Sequence, residues 1–282
     1  MTVTELRPLS LGELLDRTFS LYREHFWLFA GIMVLPQLVV LVVAVPLRVA
    51  SRTQPNISTT TIPTHAASVI FLLFLFVTAF LAMHMTALAA TVSAVSEMQL
   101  GRPTGVRLAY CFLRDKWWRV LWVAILNGLI VGLGFLLFFI PGVIILVRTA
   151  VAIPAAVLEN QSGWAAIKRA DLLTQRHRGR IFLVFVLFAI LDWAATFIFT
   201  LPFGMAGYLL HGPTPGWLSE LGDLAGFLRN VLVGPLLTIA LTLVYYDLRV
   251  RKEGFDLQLM VAALGDPGSA PPSPTAGSAV RP

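Results

Sequence analysis

Six apolar runs divide the chain, near residues 26–47, 66–95, 118–139, 142–158, 181–203 and 227–247, and the segments between them hold nearly all the lysine and arginine. A helix rising about 1.5 Å per residue needs about 20 residues to cross a hydrocarbon core of about 30 Å. The runs are of that order. They are continuous rather than alternating apolar and polar with a period of two, which favours spanning helices over a barrel. The pattern predicts an all-α polytopic bundle of six transmembrane helices.

Ahead of each odd-numbered run the period changes. Ser10 to Glu13 has capping-box spacing, and Leu11, Leu14, Leu15, Thr18, Phe19, Tyr22 and Phe26 then follow helical spacing. A second such entrance opens at Thr104-Gly105, with Val106, Ala109, Tyr110, Leu113 and Trp117 on one stripe. The third opens at Ser162-Gly163, with Trp164, Ile167, Ala170, Leu173 and His177. The chain therefore reads as three divergent copies of one unit, an interfacial amphipathic helix followed by a two-span hairpin. Pro141-Gly142 is expected to form the tight turn between the third and fourth spans. Larger loops are expected near 48–65 and 204–226. Residues 1–264 read as an integral membrane domain and 265–282, rich in Pro, Gly, Ser and Ala, as a disordered tail.

With 57% hydrophobic and 13% charged residues and a mean hydropathy of +0.79, a soluble fold could not cover its own apolar surface. The net charge of +6 raises the question of nucleic acid, and the placement of the charges answers it. Seventeen of the 21 lysines and arginines flank one side of the spans; the others are Arg48, Arg52, Arg148 and Arg229. Basic residues set beside spans, with no separable basic domain, argue against a nucleic-acid partner. By the positive-inside rule both termini, and the three amphipathic helices, are expected to be cytoplasmic. The first span is expected to serve as the insertion signal, since residues 1–25 lack the pattern of a cleavable leader. Trp27, Trp117, Trp118 and Trp122 suit an inner aromatic belt. Cys111, the single cysteine, supports neither a disulfide framework nor a cysteine-based metal site and is read as a packing residue.

Polar groups within the apolar runs are the candidate functional residues: His84, Asn127, Arg148, Asp192 and Arg229. Charge at membrane depth costs at least about 2.5–3.5 kcal/mol and normally faces protein or water. Arg148 lies six residues past Gly142 and Asp192 eleven past Ile181, so unbroken helices running from opposite faces would bring both to mid-membrane as a pair. His84 and Asn127 are expected to make interhelical hydrogen bonds. Gly128 and Gly132 form a GxxxG pattern expected to pack within the bundle. Pro36, Pro46, Pro154, Pro202 and Pro235 are expected to kink their spans. Arg107, Lys116, Lys168, Arg169, Arg176 and Arg178, on the second and third entrances, are candidates for lipid headgroups.

The exit of the last run, Tyr245-Tyr246-Asp247-Leu248-Arg249-Val250-Arg251-Lys252-Glu253-Gly254-Phe255-Asp256-Leu257, resembles the C-terminal signature of a bacterial membrane family. That family is named for the membrane domain of glycerophosphoryl diester phosphodiesterase. The entry Leu9 to Phe19 and the stretch from Pro141 through Arg148, Pro154 and Glu159 to Arg169 are similar to it as well. The resemblance implies a multi-pass protein of a bacterial cytoplasmic membrane, without the catalytic domain. His177-Arg178-Gly179 matches the tripeptide that opens that catalytic domain, but an apolar run begins at Ile181 where those enzymes place metal-binding carboxylates. No metal, cofactor or enzymatic activity is expected. Two functions fit: a non-enzymatic module that organises membrane lipid or a membrane protein partner, or a permease-like carrier of a small solute such as an anion. The sequence leaves the oligomeric state open. Cysteines placed at Ser58 and Thr214 are expected to react with a membrane-impermeant thiol reagent in intact cells, and one at Thr174 is not; labelling of Thr174 from outside would reverse the orientation.

Overall fold

The computed structural model describes residues 9–53, 62–209 and 215–254, and every regular element among them is helical. A short helix followed by a long hairpin occurs three times. First, α1 (Leu11–Glu24) leads into α2 (Phe26–Thr53) and α3 (Ile62–Gln99). Next, α4 (Val106–Leu113) leads into α5 (Trp117–Leu137), whose return is broken into α6 (Phe139–Arg148) and α7 (Ala152–Leu158). Last, α8 (Trp164–Thr174) leads into α9 (Arg178–Phe199) and, past α10 (Leu201–Leu209), into α11 (Gly216–Glu253). Six stretches are long and apolar enough to cross a membrane: Phe26–Val43, Phe74–Gln99, Trp117–Leu137, Phe139–Leu158, Arg178–Phe199 and Gly216–Glu253. The chain is thus an all-α bundle of the multi-pass membrane type.

The core gathers toward one end, where α3 and α11 finish and α1, α4 and α8 lie. Leu236, Ile239, Ala240, Leu243, Val244 and Leu248 of α11 share it with Ala87, Ala90 and Ala94 of α3 and Ala152, Ala155 and Ala156 of α7. Small alanine side chains let these helices approach closely, and packing must hold the bundle together where lipid is as apolar as the protein. Thr91 and Ser93, buried on α3, return their hydroxyls to the carbonyls of Ala87 and Ala89. Toward the opposite end apolar side chains face outward instead. Leu136 to Ile140, at the α5–α6 tip, are each at least 71% exposed.

The three short helices bury the positions their periodicity predicted. Leu14 and Thr18 of α1, Ala109 and Leu113 of α4, and Ile167, Ala170 and Leu173 of α8 are all buried, although Phe19 and Trp164 on the same stripes are exposed. Ser10 completes the expected capping box, its Oγ accepting from the Glu13 amide at 3.2 Å while its own amide donates to Glu13 Oε2 at 2.7 Å. The other two entrances differ from expectation, since their caps are Gly105 and Gly163 and make no side-chain bond. At Gly163, φ is +54°, in the left-handed region that favours glycine. Cys111 is exposed rather than packed, because the buried face of α4 is that of Ala109 and Leu113.

Four further expectations are corrected. The turn between the third and fourth spans is at Phe138, extended at φ −161° and ψ 152°, and Pro141 sits in the first turn of α6, where its missing N–H leaves no helical bond unmade. Gly142 serves close approach: a Cβ there would stand 2.5 Å from the Phe135 ring, and one on Gly134 would stand 3.1 Å from Gly142 Cα. By contrast nothing lies within 4 Å of a Cβ on Gly128 or Gly132, so that pair does not pack within the bundle. The expected loops near 48–65 and 204–226 are helical in their described parts, as α2 runs to Thr53 and α3 starts at Ile62. Pro215 caps the start of α11, and Leu218, Leu221, Ala225 and Leu228 carry a helical period that the nearby glycines disguise. Pro36, Pro46 and Pro235 lie inside helices, whereas Pro154 and Pro202 fall in the first turns of α7 and α10. The tail, 265–282, lies outside the described residues. Thr174 is buried, so Lys168, which is exposed, is the better inner position for the labelling test.

Gly142→Ala is expected to destabilise the protein by about 1–3 kcal/mol through overpacking against Phe135. Gly128→Ala, with open space around it, should be neutral or slightly stabilising by helix propensity. Thermal unfolding in detergent checks the pair, and equal losses at the two sites would contradict the packing described.

Candidate functional site

At the densely packed end, three carboxylates on different elements each gather arginines from other parts of the chain. Glu159, the residue that ends α7, accepts a two-pronged bond from Arg169 of α8, Nε to Oε2 at 2.7 Å and Nη2 to Oε1 at 3.0 Å. Tyr245 of α11 donates its hydroxyl to the same carboxylate at 2.8 Å. Arg169 reaches on to Glu253, which also accepts from Arg249 Nε at 3.1 Å. This geometry raises the Arg169 guanidinium above its already high range, chiefly through the Glu159 hydrogen bond.

Asp171, one turn from the end of α8, accepts from Arg148 Nε at 2.8 Å and Nη2 at 3.0 Å, and from Arg178 Nη2 at 2.7 Å. Those bonds, that of Arg148 foremost, hold its carboxyl below the ordinary carboxylate range. Its stabilising contribution is therefore present at neutral pH and fades as pH falls toward the lowered value.

Asp247 is the most enclosed of the three. One oxygen accepts the Leu9 amide at 2.8 Å, and the other accepts Arg180 Nη1 at 2.6 Å and Arg251 Nε at 2.9 Å. Arg180 and Arg251 also donate to the carbonyls of Ser10 and Leu9. The start of α1, the first turn of α9 and the last turns of α11 are joined at one buried carboxylate.

The expected Arg148–Asp192 pair is not formed. Arg148 meets Asp171 near the first residue of α9, whereas Asp192 lies 14 residues further along α9 from Arg178, about 21 Å away at helical rise. The break at Thr149–Val151 is the physical reason, since the depth argument required an unbroken fourth span. Asp192 pairs instead with Arg229 of α11, Nη1 to the two oxygens at 3.0 and 3.2 Å, and the same Nη1 donates to Thr196 at 2.7 Å. Asn230 accepts from Arg229 at 2.8 Å and donates to Gln37 of α2 at 3.2 Å. The Asp192 side chain is 52% exposed within an apolar surface. His84 stacks on Phe80, and its Nδ1, like Asn127 Oδ1, is buried without a hydrogen-bond partner among the described residues, in place of the interhelical bonds expected.

The six headgroup candidates separate into classes. Arg169 and Arg178 are held by carboxylates. Lys116 donates to the Val157 carbonyl at 3.3 Å and lies over the Phe112 ring; burial and nearby Arg119 lower its ammonium. Arg107, Lys168 and Arg176 have no ion-pair partner among the described residues, and the same holds for Arg114 and Arg119. Among the described residues no group of three or more His, Cys, Asp or Glu converges to hold a metal. His177 of the His-Arg-Gly tripeptide ends as the cap of α9, and Arg178 as a ligand of Asp171.

Sequence reasoning passed over Asp171, Asp247 and Glu253 as site residues, although signals existed. Glu159 and Asp171 are the sole acids between Arg148 and Asp192. Asp247 interrupts a helical row of Ile239, Ala240, Leu243 and Val250 that is otherwise apolar.

In a thermal-stability cycle, Arg148→Ala and Asp171→Ala are expected to be non-additive, with a coupling of about 1 kcal/mol or more for a two-pronged pair. Arg148→Ala and Asp192→Ala should add to within about 0.5 kcal/mol. The reverse pattern would place Arg148 elsewhere.

No family model, no curated protein and no solved structure matches this chain.

Proposed function

We propose that this protein is a non-enzymatic integral membrane module that organises membrane lipid, set in a bacterial cytoplasmic membrane with its basic end and both termini cytoplasmic. The resemblance to the membrane family named above is consistent with that reading. The observation that carries it is the unequal treatment of cations at one end of the bundle. Arg148, Arg169, Arg178, Arg180, Arg249 and Arg251 are consumed by Glu159, Asp171, Asp247 and Glu253. Between residues 102 and 119, five cations face a single acid, Asp115, and Arg107, Arg114 and Arg119 are left without a carboxylate among the described residues. Unneutralised guanidinium groups beside exposed Trp118 and Trp122 suit an anionic leaflet surface, at about 1 kcal/mol per charge.

A second reading, the carrier of a small anion, draws on Asp192–Arg229, a polar cluster joining α2, α9 and α11. Direct pairing of Arg229 with Asp192 leaves it less available to a solute, which favours the lipid module.

The chain purified from its own membrane in mild detergent is expected to retain anionic phospholipid in native mass spectrometry, and proteoliposomes should show no saturable anion flux that Arg229→Gln abolishes. Loss of all lipid adducts together with such a flux would replace the module by the carrier.

A further inference from the structure

Between α2, α3, α4 and α5 an open groove of about 750 Å³ is lined by Leu35, Thr86, Tyr110, Cys111, Leu113 and Trp117, with Arg107 and Arg114 at its α4 side. Its walls are fixed. Val106 comes so near Gly31 that a Cβ there would stand 3.0 Å from it, and the Tyr110 hydroxyl donates to the Ile32 carbonyl at 2.9 Å. On the other wall, the Trp117 indole donates to Thr86 Oγ1 at 2.9 Å, and that hydroxyl itself donates to the Ala82 carbonyl. The groove's polar groups are therefore satisfied within the protein, and what remains open is apolar surface with two cations beside it.

Those contacts also set the groove's direction. Gly31 and Ile32 lie five and six residues past Phe26, so α4 crosses α2 about 8 Å along it, and Leu35 is about 5 Å deeper. Arg107 and Arg114, seven residues apart, are two turns apart on one side of α4 with Cys111 between them. Both arginines line the groove beside its apolar wall, an arrangement that suits a charged headgroup carrying an apolar chain.

We infer that this groove binds one anionic phospholipid, its phosphate held between Arg107 and Arg114 and an acyl chain lying along Leu35, Leu113 and Trp117. Charge complementarity selects the occupant: a zwitterionic lipid would leave the two cations partly uncompensated, and a soluble anion would leave the apolar wall bare. Guanidinium planes match phosphate oxygens in two-pronged fashion. This inference rests on the lipid-module reading and gives it a place and a lipid class.

Cys111, the single cysteine, reports on the groove directly. With an uncharged maleimide, the full chain in nanodiscs of phosphatidylcholine containing phosphatidylglycerol is expected to alkylate several-fold more slowly at Cys111 than in phosphatidylcholine alone. A Cys111→Ser, Lys168→Cys chain, labelled on the exposed face of α8, measures the surface-charge effect by itself and should change little. Arg107→Gln with Arg114→Gln should abolish the protection, each charge contributing about fivefold to occupancy, while Arg107→Lys with Arg114→Lys should keep part of it. Equal slowing at Cys111 and at the α8 cysteine would overturn the site, and so would protection that survives the double Gln change. Inorganic phosphate that protects Cys111 in phosphatidylcholine as well as the anionic lipid does would overturn the lipid as occupant. Native mass spectrometry of the same samples separates the two levels: anionic lipid retained without Cys111 protection rejects this groove alone, and no anionic lipid retained rejects the module as well.

Discussion

A buried carboxylate must be surrounded by donors, and Asp247 meets that requirement with groups from three separate parts of the chain. Its donors are the Leu9 amide, Arg180 and Arg251, so the beginning of the first unit is tied to the last hairpin of the third. Removing one partner from a buried charge pair costs about 3–5 kcal/mol, because the other charge stays behind uncompensated. Here two guanidinium groups would be stranded together. The start of α1 is fixed by this side chain, while the bonds from Arg17 to Gln99 and from Tyr22 to the Leu232 carbonyl hold the rest of α1 and the core closes around Leu14.

The other carboxylates repeat the device at neighbouring junctions. Glu159 binds the end of α7 to α8 and α11, and Asp171 binds α8 to the ends of α6 and the start of α9. These bonds tie the short helices to one another and to the long ones, which is where a bundle in lipid most needs directional contacts. Apolar packing between helices gives little preference over packing against lipid, whereas a hydrogen-bonded charge pair has one satisfactory partner. The second short helix, α4, lacks such a clamp. It is seated instead by Val106 against Gly31 and by the Tyr110 bond to Ile32, and its arginines stay available.

That asymmetry gives the functional argument its direction. The cations are used unequally: Arg148, Arg169, Arg178, Arg180, Arg249 and Arg251 are held by acids, whereas Arg107 and Arg114 are left open beside an apolar groove. Further along the bundle, the Asp192–Arg229 cluster is compensated internally, yet half of the Asp192 side chain faces an apolar surface. The two polar regions are separated by several turns of α9 and share no residue.

Much of the architecture was legible in the residues, since runs, stripes and caps are local patterns with fixed periods. The six spans, the short helix before each odd one and the Ser10 capping box all follow from spacing within a few turns. Pairing is not local. Whether Arg148 meets Asp171 or Asp192 depends on a three-residue break after Arg148 and on how α8 and α9 sit beside α6, and no periodicity encodes either. The same holds for Gly128 and Gly132, whose pattern suits close packing although their face meets nothing in the bundle, while Gly134 and Gly142, without a motif, make the close approach. Sequence by itself determined which segments are apolar and where charge accumulates; the tertiary structure decided which charges neutralise one another, because a salt bridge is set by the three-dimensional meeting of side chains far apart in the chain.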